Sequence, residues 1–228
     1  MFSFVTNFLE PVALLFYVAG FAIYRSHGKM KETQVLFIYY ILMTTLQLLA
    51  SINVKLGFTK EGNIWQYEIA GFLTATFIGY YFYRLLNGSV KKKVILLLIS
   101  SYLLYAVFRQ FTIEGRRLFD SVGYSLLSAS IAIYVFMYFH QLLKNVSEVS
   151  ILKDFNFWLA SSYLVYFVGG FIIFVSYYYL TTKIIKTYTQ PERDLLTALW
   201  GLHNVLLFLG ALSLLTGSLW ITYRRKSV

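Results

Sequence analysis

Phe157-Trp-Leu-Ala-Ser-Ser-Tyr-Leu-Val-Tyr-Phe-Val-Gly-Gly-Phe-Ile-Ile-Phe-Val-Ser-Tyr-Tyr-Tyr-Leu180 runs for 24 residues without a charged side chain. About 18 or more predominantly apolar residues are enough for a helix to cross a hydrocarbon layer ~30 Å thick. Similar runs fill the rest of the chain, and together they predict seven transmembrane helices: 8–24, 34–52, 64–86, 94–111, 121–143, 157–180 and 195–221. The fold class is therefore all-α, a polytopic membrane bundle forming one domain over residues 1–228.

Composition supports this reading. Of the 228 residues, 58% are hydrophobic and 13% charged, whereas a soluble domain carries about 25% charged residues. So few charges cannot cover a soluble surface. Between the runs lie helix-stop and helix-start signals. Asn87-Gly88-Ser89 closes the third helix and Pro191 marks the start of the last. Pro11 is expected in the first turn of the first helix, where a missing N–H costs little. With no proline at mid-membrane and no repeat relating the first three helices to the last three, transporters built on broken helices or repeats are disfavoured. Gly169-Gly170 is expected to let a neighbouring helix approach closely.

Orientation follows from the basic residues. Arg25, Lys29, Lys31, Arg84, Lys91, Lys92, Lys93, Lys144, Lys153, Arg224, Arg225 and Lys226 fall on one side, 12 of the 20. Lys55, Lys60, Arg109, Arg116, Arg117, Lys183, Lys186 and Arg193 fall on the other. The richer side is expected inside, which puts the N-terminus outside and the C-terminus inside. No Lys or Arg precedes the first apolar run, so that run reads as a retained helix rather than a secretory signal. The net charge of +10 sits in short loops, where it sets topology and meets the anionic headgroups of the bilayer; no nucleic-acid partner is expected.

Several chemistries lack their residues. With no cysteine there is no disulfide, thiolate metal site or cysteine nucleophile. His27, His140 and His203 have no ligand-like spacing, so no metal, haem or other cofactor is expected. The last helix has no lysine for a Schiff base, and no mid-membrane carboxylate suits a proton pump. No Gly-x-Ser-x-Gly elbow stands out, so no catalytic residue is assigned. An intramembrane enzyme with residues converging from separate helices stays open.

Ionisable and amide side chains inside hydrocarbon are costly and hence functional candidates. Glu10, Gln47, Glu68, Arg109, Asp120, His203 and Asn204 all fall in the outer halves of their helices. Six of them, Glu68, Arg109, His203, Asn204, Gln47 and Glu10, are expected to form one outward-facing ligand pocket. Arg109 would pair with Glu68 or Glu10, or bind a carboxylate or phosphate of a ligand. His203 and Asn204 would read the ligand's polar edge. The competing reading is structural: long side chains snorkel to the headgroups, and His203 with Asn204 bonds between helices. The inner halves look nearly free of charge. Tyrosines at helix ends (Tyr24, Tyr80, Tyr81, Tyr83, Tyr138, Tyr177 to Tyr179 and Tyr223) read as an interfacial belt.

The segments Phe157 to Gly170 and Leu199-Trp-Gly-Leu-His-Asn-Val-Leu-Leu-Phe-Leu-Gly210 resemble the closing helices of small bacterial seven-helix proteins, similar to the membrane sensor modules ahead of receptor histidine kinases. The resemblance covers about a quarter of the chain. It implies a multi-pass protein of the plasma (inner) membrane. Because the chain stops soon after the last helix, it also implies signalling through a separate cytoplasmic kinase or regulator. The expected function is a sensory protein for a small ligand or lipid. A small-molecule transporter or channel and a structural subunit of a membrane complex are the alternatives.

Overall fold

Long apolar runs form helices here because the bilayer leaves no water to satisfy free backbone groups. The computed structural model describes residues 2–26, 31–55, 64–111, 119–144, 151–183 and 190–226. The loops that hold His27, Lys29, Lys60, Arg116, Arg117 and Lys186 lie outside them. The helices are α1 (Phe2–Ser26), α2 (Lys31–Lys55), α3 (Ile64–Leu85), α4 (Ser89–Gln110), α5 (Ser121–Lys144), α6 (Phe155–Tyr163), α7 (Gly169–Lys183) and α8 (Gln190–Lys226). A π turn, Leu164–Val168, joins α6 to α7 in one continuous rod. The described residues thus form seven rods, and no strand occurs among them.

Five rods are long and apolar enough to cross a membrane: those holding Phe8–Arg25, Thr33–Asn53, Ser121–Lys144, Phe155–Thr181 and Gln190–Arg224. The other two, α3 and α4, have 22 residues each, about 33 Å at 1.5 Å per residue. They are long enough but more polar, since α3 carries Gln66 and Glu68 and α4 carries Lys91 to Lys93 and Arg109. Yet Leu97, Leu104 and Phe108 stand outward on one face of α4, Leu104 at 71% exposure. An outer surface this apolar is one that lipid covers. The protein is a membrane-embedded, all-α bundle.

Several boundaries differ from the sequence expectation. The helix α1 extends back to Phe2, so Pro11 lies inside it rather than in its first turn. It deprives the carbonyl four residues earlier of a partner, yet the helix continues. Gly88 takes φ 99°, the left-handed turn that the Asn87-Gly88-Ser89 signal requires. Gln141 of α5 clamps that turn: its Oε1 accepts from the Asn87 N–H at 2.8 Å and from Lys91 Nζ at 3.1 Å.

The most extensive packing is between α1 and α8, which run parallel and bring Gly20 against Leu214 and Ser218. Small residues permit such approach where lipid and side chain are equally apolar. Gly169 packs against the side chain of Leu206 of α8, a side-chain contact rather than the close backbone approach expected of the glycine pair. The tyrosine belt is a partial correction. Tyr80, Tyr178, Tyr179 and Tyr223 face outward, whereas Tyr81 and Tyr138 are buried, their hydroxyls held by Asn156 and Asp154 of the neighbouring rod.

Candidate functional site

The start of α3 decides the site. Successive residues on a helix point about 100° apart. Gln66, Tyr67, Ala70 and Thr74 therefore turn one way and Glu68, Ile69 and Phe72 another. The first set lines a central cavity of about 60 Å³ between α1, α2, α3, α5, α8 and the π turn. The second lines a lateral groove of about 260 Å³ between α3 and α4. Tyr67 and Tyr124 line both and stand as the wall between them.

The central cavity gathers Glu10, Gln47 and His203. Tyrosines contributed by five elements surround them: Tyr17, Tyr39, Tyr40, Tyr67, Tyr124 and Tyr166. Their hydroxyls tie the rods together. Tyr17 bonds Ser162 at 2.6 Å, Tyr39 bonds Thr74 at 2.8 Å, and Tyr40 donates to Tyr163 at 3.2 Å. Tyr124 donates to the Tyr67 carbonyl at 2.7 Å, and the Gln66 amide donates to the Gln47 side-chain oxygen. The His203 Nε2 lies 3.4 Å from the Tyr166 hydroxyl, while its Nδ1 has no hydrogen-bond partner among the described residues. Trp200 and Phe174 flank the imidazole at ring-centroid distances of 5.1 and 5.2 Å.

The groove holds the charges. Arg109 lies against both Glu68 and Asp120, at 3.7 and 3.4 Å. Asp120 is also the N-cap of α5: its Oδ1 accepts from the Gly123 N–H at 2.8 Å and from the Tyr105 hydroxyl at 2.9 Å. Ile69, Phe72 and Val107 in the same walls are each about half exposed, so the groove opens sideways toward lipid.

The six candidate residues are thus divided. Glu10, Gln47 and His203 share the cavity, Glu68 and Arg109 share the groove, and Asn204 is fully buried without lining either. Of the two carboxylates expected to pair with Arg109, Glu68 does so; Glu10 lines the cavity on the other side of Tyr67. Sequence reading passed over Gln66 and the tyrosines. Their signal was faint: Gln66, Ala70 and Thr74 recur at helical spacing on one side of α3.

The helix halves expected to lie inside also carry more polar structure than the sequence reading allowed. Tyr81 donates to Asn156 at 2.5 Å, and Asp154 accepts from Tyr138 at 2.8 Å and from the Asn156 N–H at 2.9 Å. Comparison with protein-family models, curated proteins and solved structures yields no match. A functional reading therefore rests on the geometry of the two sites.

Proposed function

We propose that this bundle is a ligand-sensing protein of the plasma (inner) membrane, with its N-terminus outside, that acts on a separate cytoplasmic partner. One observation carries the reading: the cavity is closed toward the opposite end of the bundle. Below it Phe21, Tyr81, Phe82, Phe155 and Tyr163 are packed at no more than 2% exposure. A one-ended cavity suits binding better than passage. Its wall includes Tyr166 and Phe167 from the π turn, an irregularity frequent at functional sites. An occupant therefore bears on a rod whose hydrogen-bond register is already shifted. By differential affinity it would favour one register over another. The segments Arg25–Lys31, Arg84–Lys93 and Lys144–Asp154 would present the change to the partner. The resemblance of the closing helices to sensor modules points the same way. The lateral groove is the second candidate site, and a lipid would reach it directly.

Because the chain has no cysteine, a single introduced cysteine is a unique attachment point. A photo-cross-linker at Leu143→Cys or Tyr223→Cys, both about 70% exposed at the inner end, should capture a soluble regulator in native membranes. The same probe at Phe8→Cys should not. Capture of membrane subunits alone would sink the sensor reading in favour of a structural subunit. Transport is the second reading, favoured by the Tyr81–Asn156 and Tyr138–Asp154 bonds in the inner half. Substrate flux into sealed vesicles would decide for it.

A further inference from the structure

We infer that the central cavity takes a small protonated amine, with Glu10 as counter-ion and the tyrosine rings as its cage; this rests on the ligand-binding reading above. The charge balance comes first. Among the described residues, Glu10 is the one acidic residue in the lining, and no Lys or Arg lines it. Among the described residues no cation pairs with Glu10. It shares the cavity lining with Tyr67 and Tyr166. Glu10 is partly buried, and an ionised carboxylate drawn even partly away from water is costly unless a counter-charge meets it. Arg109, on the other side of Tyr67, is engaged by two carboxylates in the groove.

The walls fit the same ligand. Six tyrosines line the cavity, and the negative faces of aromatic rings attract cations. His203 is 5% exposed and its Nδ1 is unpartnered. With Nε2 donating to the Tyr166 hydroxyl, Nδ1 keeps an unused lone pair with which to accept from an ammonium N–H. The Gln47 oxygen, already accepting from Gln66, has a second lone pair to offer. Size sets the scale: about 60 Å³ exceeds the roughly 10–15 Å³ that one water needs. That suits methylammonium or the amine end of a longer molecule. An anion would meet Glu10 with nothing to offset it.

The test is a titration of the full-length protein in detergent with methylammonium chloride, against sodium chloride at equal ionic strength. Melting temperature and tryptophan fluorescence are read together, since Trp200 stacks near His203. The expected result is a saturable rise in melting temperature and a saturable fluorescence change. Glu10→Gln should weaken apparent affinity at least about tenfold. Ala70→Leu, which fills the cavity from its wall, should abolish binding in a folded protein. Lys92→Gln, at the far end of the bundle, should bind as wild type does. Equal affinity in Glu10→Gln, or no saturable response to methylammonium, overturns the proposal. A response to sodium acetate that Ala70→Leu removes also overturns it, by making the ligand an anion while leaving ligand binding standing. Partner capture at the inner end is read separately, so failure of the relay and failure of the ligand class are distinguishable.

Discussion

Arg109 Nη1 stands 3.4 Å from Asp120 Oδ2, joining the last turn of α4 to the cap of α5 across a loop. Both side chains are little exposed, at 12% and 13%, and Glu68 of α3 shares the guanidinium at 3.7 Å. One cation thus holds three helices at the groove. Removing one partner of such a group leaves the others uncompensated. Arg109→Ala should lower stability by about 2–3 kcal/mol. The double variant Arg109→Ala/Glu68→Gln should recover about 1 kcal/mol of that, because it also removes a stranded charge. Denaturant unfolding in detergent reads both. Equal stability of wild type and Arg109→Ala would show the triad to be solvated.

The α8 backbone lies against α1 and α6 at Gly210. A Cβ there would come within 2.9 Å of the Ser162 carbonyl oxygen and 3.0 Å of the Tyr17 hydroxyl. Backbone cannot give way as a side chain end can. Gly210→Ala should cost about 1–3 kcal/mol, as overpacking does. It should also disturb the Tyr17–Ser162 bond above the aromatic plug. Thermal melting measures the first effect; a melting temperature at or above wild type would contradict the close approach.

Tyr81 and Asn156 are both buried and bond across α3 and α6 at 2.5 Å. In membrane bundles such bonds couple by about 1 kcal/mol. A double-mutant cycle with Tyr81→Phe and Asn156→Ala should return a coupling of that order. A coupling near zero would mean that packing alone holds the two rods there.

The proposed orientation has a direct check. Phe111 and Val90, at opposite ends of α4, are 81% and 73% exposed. In intact cells, a membrane-impermeant maleimide should label Phe111→Cys and leave Val90→Cys unlabelled until the membrane is opened. The reverse pattern would turn the bundle over, and its cavity with it.

The seven rods were legible in the sequence because a bilayer leaves the backbone one economical solution, and long apolar runs advertise it. The helix ends followed from local chemistry at Gly88 and Pro191. Pro11 misled, since a proline at a helix start and one tolerated within a longer helix look alike when the residues before it mix polar and apolar types, as Phe2 to Glu10 do. Glu10, Gln47, Glu68, Arg109 and His203 stood out for a reason equally local, namely that each is polar in an apolar run. Which of them meet was decided only by tertiary structure. Helix rotation and pairing arise from how side chains on different rods fit together, and hydrophobicity carries little of that information when every face is apolar. One step of 100° between Tyr67 and Glu68 sends Arg109 to the groove and leaves Glu10 facing tyrosines. The sequence by itself determined a membrane bundle and its polar residues; packing decided that they form two sites instead of one.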